Sequence, residues 1–254
     1  MNRGAVVFAG LSCLNDLNSY RKSAFAWAEA GLRLARPECI LAVSSHWAKP
    51  VTYVRTADNN PQKYDSEALN SQLNEIKYEP PACPPIARLV LKELEGIAKE
   101  NNDWGLDFGV WSILSEVFPK ADVPVVMMST DTNASPEEHF IIGKKIRSLR
   151  EKGVMIYTSG NLINNSGLFN CGMSSGYEWA EKFDGSIKEL ILKKDYHSVV
   201  DFEHLPLNDI ALPSCEVFYP LLTALGAVSS DDRVKILNDY RIYGSLSLTS
   251  FLWI

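Results

Sequence analysis

The chain has 254 residues, of which 46% are hydrophobic and 22% are charged, a balance typical of a globular protein that buries a sizeable core. The formal net charge is -6 and lysine and arginine form no block, which argues against a nucleic acid or an anionic membrane as a partner. No run of about 18 apolar residues occurs, so the sequence predicts no membrane-spanning segment. Five scattered cysteines without a C-x-x-C pair fit reduced thiols better than a disulfide framework. We therefore expect one domain, residues 1–254, in the cytoplasm.

Apolar runs and helical spacings alternate along the chain. An apolar run at 5–9, apolar side chains at helical spacing over 15–34 and a second apolar run at 40–43 predict a βαβ unit with parallel strands. The same patterns predict strands at 51–54, 123–129, 154–158, 234–238 and 245–252, and helices at 86–99, 111–118, 136–152, 179–192 and 216–225. A capping box is predicted at Ser135, and Gly153 and Gly226 are predicted to end two helices. We predict a single α/β domain with a central, mostly parallel or mixed sheet and helices on both faces.

The segment 40–47 reads ILAVSSHW, an apolar run that meets two serines, a histidine and a tryptophan. A short continuous apolar run is typical of a strand that is buried on both faces of a parallel sheet. Ligands of open α/β sheets bind beyond the carboxyl ends of the strands, and His46 lies at such an end. Residues 10–13, 129–132 and 159–165 end or follow other predicted strands and could converge on the same cleft. A histidine held by local hydrogen bonds is the alternative interpretation.

The sequence offers few other catalytic groups. His139 is placed near a predicted helix start, and His197 and His204 lie in a polar segment where surface roles are expected. Asn161 and Asn164 are of the residue type that satisfies a turn. The motifs of a nucleophile elbow, a dinucleotide-binding loop and a P-loop do not occur in the sequence. A site built around His46 is therefore the main hypothesis.

Several segments, spread over nearly the whole chain, match the segments of one known family in the same order. They are 44–47, 78–81, 104–109, 123–131, 139–140, 149–154, 159–161, 219–227 and 244–247. With these segments the chain resembles the class III extradiol ring-cleavage dioxygenases, specifically the single-chain DOPA 4,5-dioxygenase type. The match is specific at the level of the fold, because it rests on many segments in the same order and not on a single short motif.

The resemblance implies a divalent metal, normally ferrous iron, held mainly by imidazoles with positions open for a catechol and dioxygen. It also implies four histidine positions beside the metal, where this chain has Leu11, His46, Asn164 and Val217. The family's Asp-His-Gly is replaced by Asp-Phe-Gly at 107–109, which removes a candidate acid–base group. Leucine and valine side chains cannot coordinate a metal, so we expect the metal site to be degenerate.

We therefore expect a non-catalytic member of the family, a pseudoenzyme that needs no metal or other cofactor. Its cleft would bind a small aromatic ligand, or the chain would serve as a subunit beside an active homologous chain. The family's His-Asp-Phe-Gly-Gly-Phe-Pro loop is replaced by a polar segment, with Tyr64 and Asp65 nearest in place. His46 is the one candidate catalytic residue. The predicted pocket residues are Leu11, Trp47, Tyr64, Phe108, Asn161, Asn164 and Val217.

Three alternatives remain open. The first is an active dioxygenase with a rebuilt site, in which His46, Glu216 and Cys13 hold Fe(II) or Zn(II). The second is metal-free chemistry with His46 as general base. The third is an unrelated α/β binding module that shares the scaffold. A homodimer is a further expectation, because symmetric dimers are the commonest soluble assembly.

Overall fold

The computed structural model of the chain describes residues 3–13, 16–64 and 71–254. The predictions that involve Asn15 and Asp65 lie outside the described residues. The strands are β1 (Val6–Gly10), β2 (Cys39–Lys49), β3 (Tyr53–Val54), β4 (Lys99–Glu100), β5 (Val125–Asp131), β6 (Val154–Gly160), β7 (Val234–Leu237), β8 (Arg241–Ile242), β9 (Leu246–Ser247) and β10 (Ser250–Trp253). The α-helices are α1 (Leu17–Gly31), α2 (Pro84–Glu93), α3 (Phe108–Val117), α4 (Pro136–Ile146), α5 (Glu178–Leu192), α6 (Tyr196–Val200), α7 (Asn208–Ala211) and α8 (Tyr219–Ala227).

The centre of the main sheet is parallel. Strands β5, β2, β6 and β1 lie side by side and run in one direction, as the repeated strand–helix–strand pattern predicts. Within the described residues the sheet has eight strands in the order β4-β3-β5-β2-β6-β1-β10-β7. Antiparallel pairs occur toward the edges, where β3 meets β5 and where β10 meets both β1 and β7. The predicted α/β fold with a mixed sheet is confirmed.

Side chains that follow one another on the central strands enter two different cores. Leu41 and Val43 of β2 pack with residues of α2, α4, α5 and α8, whereas Ile40 and Ala42 pack with residues of α1 and α3. Because both faces are covered, these strands are apolar at successive positions instead of alternating. Helices therefore cover both faces of the sheet, as predicted. None of the described helices combines the length and the apolar content that crossing a membrane requires.

The helix predicted at 86–99 is α2, and the prediction of its end is wrong. The helix ends at Glu93, and Gly96 then adopts a left-handed backbone conformation with φ of 81°. Residues 99–100 pair with β3 as the short strand β4. Helical spacing of apolar residues continues past Glu93, but the chain turns where glycine permits a positive φ.

The strand predicted at 245–252 is divided into β9 and β10. Ser247 and Thr249 donate their hydroxyl hydrogens to the carboxylate of Asp184, which is fully buried on α5. Strand β9 pairs with β8 in a separate two-stranded sheet, whereas β10 pairs with β1 and β7 in the main sheet. The break lies where the chain passes from one sheet to the other.

The start of α4 was predicted correctly. Ser135 accepts a hydrogen bond from the backbone N–H of Glu138, whose side chain accepts from the backbone N–H of Ser135, so the capping box is present. The helix continues as a 3-10 turn over Arg147–Lys152, and Gly153 ends it with φ of 75°. The predicted end at Gly153 is confirmed.

Gly226 does not end a helix, contrary to the prediction, but lies inside α8. A Cβ atom at Gly226 would lie 2.1 Å from the carbonyl oxygen of Phe140 and 2.9 Å from the Cα of Gly143, both on α4. The two glycines therefore let the backbones of α4 and α8 approach without side chains between them. Their function is close packing on one face of the sheet.

We expect Gly226→Ala to lower the free energy of unfolding by about 1–3 kcal/mol or more, because the added methyl group would push α8 away from α4. Urea denaturation at neutral pH measures the change. Gly185→Ala is the matched control, since a Cβ atom at this position of α5 meets nothing within 4 Å. That variant should gain about 0.5–1 kcal/mol from the better helix propensity of alanine. Equal stabilities for the two variants would contradict the packing role of Gly226.

Candidate functional site

His46 stands in an irregular segment at the carboxyl end of β2. The pairing of β2 with β5 shifts between Ser44 and Ala48, whose partners on β5 are the adjacent residues Ser129 and Thr130. Strand β2 therefore carries three extra residues, with His46 in the middle. The Thr130 hydroxyl donates to the Ser44 carbonyl oxygen at 3.0 Å and closes the base of this bulge. Bulges re-aim side chains, and this one presents His46 half-buried at the edge of the sheet.

A buried carboxylate fixes the backbone next to His46. Asp107, 2% exposed, accepts hydrogen bonds from the Ser44 hydroxyl at 2.8 Å and from the indole Nε1 of Trp104 at 2.9 Å. Ser44 Oγ also accepts from the backbone N–H of His46 at 3.1 Å. A buried carboxylate without partners would be costly, so these bonds hold the start of α3 and the end of β2 together. Asp107 and Ser44 are positioning residues for His46.

Aromatic rings lie beside His46. The ring centroid of Phe108 is 6.1 Å from that of His46 and 5.3 Å from that of Trp111, to which it is perpendicular. The ring of Tyr64 lies 6.0 Å from Trp111. These separations are in the favourable range for aromatic contacts. We call Leu11, His46, Tyr64, Phe108 and Trp111 the His46 site.

The loop after β1 meets the end of β6 at the same edge of the sheet. The amide Nδ2 of Asn161 donates to the carbonyl oxygen of Leu11, and its backbone N–H donates to that of Val217, each at 2.9 Å. The Leu11 side chain lies against α3, where a Cβ atom at Gly109 would be 3.2 Å from Leu11 Cδ1. The structure thus brings Asn161 together with the backbones of Leu11 and Val217, but the Leu11 side chain packs in the core of Phe108 and the Val217 side chain in the core on the other face. Asn161 is 3% exposed, so its amide connects protein segments.

Trp47 supports the site from the core. It is 1% exposed and stacks on Trp104 with ring centroids 6.1 Å apart and ring planes 7° from parallel. Lys63 Nζ lies 4.1 Å from the Trp104 ring centroid, a cation–π contact. The Lys63 carbonyl oxygen accepts a hydrogen bond of 3.0 Å from Trp111 Nε1. This layer holds the segment before Tyr64 against α3.

Other predicted residues make separate contacts. Half-buried Asn164 forms an isolated β-bridge with Leu246, Cys13 packs on the small apolar cluster around Ile242, and Glu216 accepts a hydrogen bond from a neighbouring serine hydroxyl. Over the described part of the chain, no three His, Cys, Asp or Glu side chains are grouped so that they could hold a metal ion. The side chains considered include His46, Glu216 and Cys13, the alternative ligand set that the sequence suggested.

The remaining histidines differ in burial. His139 is 2% exposed, donates from Nε2 to the Asp131 carbonyl oxygen at 2.9 Å and stacks on Tyr219 with ring centroids 4.4 Å apart. Burial lowers the pKa of His139 to about 4, against smaller opposing effects of this hydrogen bond and of nearby carboxylates. His197 and His204 are exposed, as their polar surroundings predicted.

Sequence reasoning missed the positioning role of Asp107 and the ring contacts of Trp104 and Trp111. The available signal was an acidic residue directly before an apolar helix, together with a serine two residues before His46. Neither pattern shows that the two segments meet, because 63 positions separate Ser44 from Asp107. The contact is a property of the tertiary structure.

Known families and proteins match this chain over most of its length. The family model described as the catalytic LigB subunit of aromatic ring-opening dioxygenase matches residues 13–251. The chain belongs to the LigB family. Among LigB-type relatives, the 4,5-DOPA dioxygenase extradiol of Escherichia coli (strain K12) is 30% identical over 246 residues, which cover 94% of this chain and 89% of that protein.

Two further matches agree with membership of the LigB family. The 4,5-DOPA dioxygenase extradiol of Beta vulgaris is 29% identical over 252 residues, covering 94% of this chain and 93% of that protein. The crystal structure of an uncharacterized protein from Escherichia coli K12 has a TM-score of 0.83 and 29% identity, covering 98% of this chain and 99% of that chain. The family predicted from the sequence is therefore confirmed.

Proposed function

We propose that this LigB-family chain binds a small aromatic ligand at the His46 site and does not open the ring by metal catalysis. The observation that carries the proposal is the residue set at the positions where the family resemblance implies imidazoles: Leu11, His46, Asn164 and Val217. The affinity of a site for a metal depends on the number and type of its ligands. One imidazole and one amide supply too few donors for ferrous iron.

The residues present do not fit the implied metal. The side chains of Leu11 and Val217 carry no donor atom, and Asn164 is engaged through its backbone with Ala211 and Leu246. No group of three possible ligands exists in the part of the chain that the structure describes.

The chain's own residues favour an aromatic ligand. The Phe108 ring lies beside the His46 ring and packs edge-on against Trp111, and a planar ligand can stack on such rings or meet them edge-on. The half-buried His46 ring carries nitrogen atoms, which can donate to or accept from a phenolic hydroxyl. Asp107 and Ser44 keep the His46 backbone in place without a metal. The chain can also act as a subunit beside an active homologous chain.

The second candidate is an active dioxygenase, and the names of the relatives favour it. The relatives from Escherichia coli and Beta vulgaris are both named as dioxygenases. The rebuilt ligand set of His46, Glu216 and Cys13 with Fe(II) or Zn(II) belongs to this candidate. Fold similarity alone does not transfer an activity, because the activity depends on the groups in the site.

One anaerobic experiment separates the two candidates. Purified protein is incubated with ferrous iron and catechol, and then iron per chain, catechol bound at equilibrium and catechol consumed after admission of air are measured. We expect iron close to the protein-free control, catechol retained by the protein and no consumption. One iron per chain with consumption of catechol would establish the active enzyme. Failure to retain catechol would contradict the aromatic ligand.

The matched variant combines Leu11→His, Asn164→His and Val217→His with the native His46. We expect it to bind iron, because four imidazoles then occupy the positions that the resemblance implies. Adding His46→Ala to the triple variant should weaken that binding. Circular dichroism verifies that the variants fold. If the native chain and the triple variant bound equal amounts of iron, missing ligands could not explain the expected lack of iron in the native chain.

A further inference from the structure

A cavity lies at the opposite edge of the sheet from the His46 site. Its volume is about 530 Å³, within the usual range for small-molecule sites. It is lined by residues that precede β1, β2 and β6, including Gly4, Pro37 and Gly153. Because these strands are parallel, their amino ends meet at one edge and their carboxyl ends, with His46, at the other. The cavity is therefore separate from the site that the family resemblance implies.

Guanidinium groups are concentrated in the lining of this cavity. Four arginines, Arg3, Arg33, Arg36 and Arg150, line it together with one carboxylate, Glu38. The chain as a whole has a formal net charge of -6. Guanidinium groups have a planar fork of donors that matches carboxylate and phosphate oxygens. The cavity is thus suited to an anion.

Two of the arginines are held by the fold. Arg150, 1% exposed, donates from Nη1 and Nη2 to the two carboxylate oxygens of Asp232 at 2.7 and 2.9 Å. It also donates from Nε to the Gly4 carbonyl oxygen at 2.7 Å. Arg3 contacts both Asp231 and Asp232. Asp231 and Asp232 balance the charges of these two arginines, which form a fixed wall of the cavity.

The other two arginines can exchange their partners at little cost. Arg33 Nη2 contacts Glu29 at 3.2 Å, with side chains 69% and 54% exposed. Arg36 Nη2 contacts the Asp122 carboxylate at 3.4 Å, with side chains 57% and 51% exposed, and donates to the Asp122 carbonyl oxygen at 2.8 Å. Exposed pairs of this kind contribute only about 0–1 kcal/mol. A bound anion can therefore replace Glu29 and Asp122 as the partner.

The cavity also has an apolar part. Leu34, Pro37 and Met155 line it, and Pro37 and Met155 are buried. An inorganic anion would leave this surface against water, whereas an anion with a hydrocarbon body would cover it. We propose that this cavity binds a small organic carboxylate, with Arg33 and Arg36 holding the carboxylate and the apolar side chains contacting the body of the ligand.

The test uses 2-naphthoate as the probe, titrated into the full chain at low salt by isothermal titration calorimetry. We expect saturable binding, and at least tenfold weaker binding to the double variant Arg33→Gln/Arg36→Gln. Arg88→Gln on α2 is the matched control, since this exposed arginine lies on the other face of the sheet, and we expect unchanged affinity. Neutral 2-naphthalenemethanol and inorganic phosphate should each bind more weakly than 2-naphthoate.

Amide chemical shifts locate the bound probe. We expect the changes on addition of 2-naphthoate to centre on Ala5, Leu34 and Met155. Changes centred on His46 and Phe108, or equal affinity for the native chain and the double variant, would overturn the proposal. So would an absence of binding at millimolar probe, or phosphate binding more tightly than 2-naphthoate. None of these outcomes depends on the result of the iron and catechol experiment.

Discussion

Asp232→Ala is expected to lower the free energy of unfolding by about 3–5 kcal/mol, because it leaves a buried arginine without its partner. Asp232 is 1% exposed and accepts hydrogen bonds from Arg150, which is equally buried, and from the backbone N–H of Ser229 at 2.7 Å. These contacts join the end of the helical segment before β6 to the turn before β7. Urea denaturation at neutral pH measures the loss.

Asp231 provides the control for Asp232. It is the adjacent residue and also contacts Arg3, but its side chain is 69% exposed, so Asp231→Ala should cost about 1 kcal/mol or less. The double variant Arg150→Met/Asp232→Leu should be less destabilised than Asp232→Ala, because no buried charge is then left without a partner. A cost for Asp232→Ala no larger than that for Asp231→Ala would contradict a structural role of the buried pair.

Acid is expected to destabilise the protein first through His139. Burial lowers the pKa of His139 to about 4, whereas the unfolded chain has the ordinary value of about 6.5. Between these two pH values the unfolded state binds a proton that the folded state does not, so stability falls as the pH falls. With about 1.36 kcal/mol per pKa unit, the loss between pH 7 and pH 4 is on the order of 3 kcal/mol.

Urea denaturation at a series of pH values measures this effect. His139→Phe should lose stability at neutral pH, since it removes the hydrogen bond to the Asp131 carbonyl oxygen, but its stability should depend less on pH between 7 and 4. His204→Gln is the control, because it also removes an imidazole but at a position that is 79% exposed. A His139→Phe curve parallel to that of the native chain would show that another group causes the acid sensitivity.

The protonation of Asp232 affects the stability of the protein in a lower pH range than the protonation of His139. Burial alone would raise the pKa of Asp232, but hydrogen bonds from Arg150 and from the Ser229 N–H, with the charges of Arg150 and Arg3, bring it below the ordinary value. The stability that this carboxylate contributes is fully present above its unfolded pKa of about 3.9 and is lost as the pH falls through the folded pKa. The two groups therefore give separable steps in acid.

The sequence predicted those parts of the fold that local pattern determines. The apolar runs gave the central strands, and the capping box at Ser135 gave the start of α4, since both depend on neighbouring residues. The errors occurred where contacts between residues that are distant in the sequence determine the local structure. Gly226 packs against α4 instead of ending α8, and the predicted last strand is divided because its two halves pair in different sheets.

The sequence predicted only part of the candidate site, again because contacts between distant residues determine the rest. The position of His46 follows from the carboxyl end of a buried strand, a rule that needs only the sequence of that strand. The contact between Ser44 and Asp107 does not follow, because it joins segments that are distant in the chain. The roles of Leu11, Asn164 and Val217 rest on the family resemblance and stay predictions until iron and catechol binding are measured.

The bulge separates the His46 side chain from the paired part of the sheet. Before the bulge β2 is paired with both β5 and β6, and after it β2 resumes its pairing with β5 at Ala48 and Lys49. A change of the half-buried His46 side chain therefore leaves the ladder on either side intact, whereas Trp47 in the same bulge is part of the core. During evolution, reactive groups on such a segment can be lost or replaced while selection for folding acts on other residues. The fold can therefore be kept when the chemistry of the site changes.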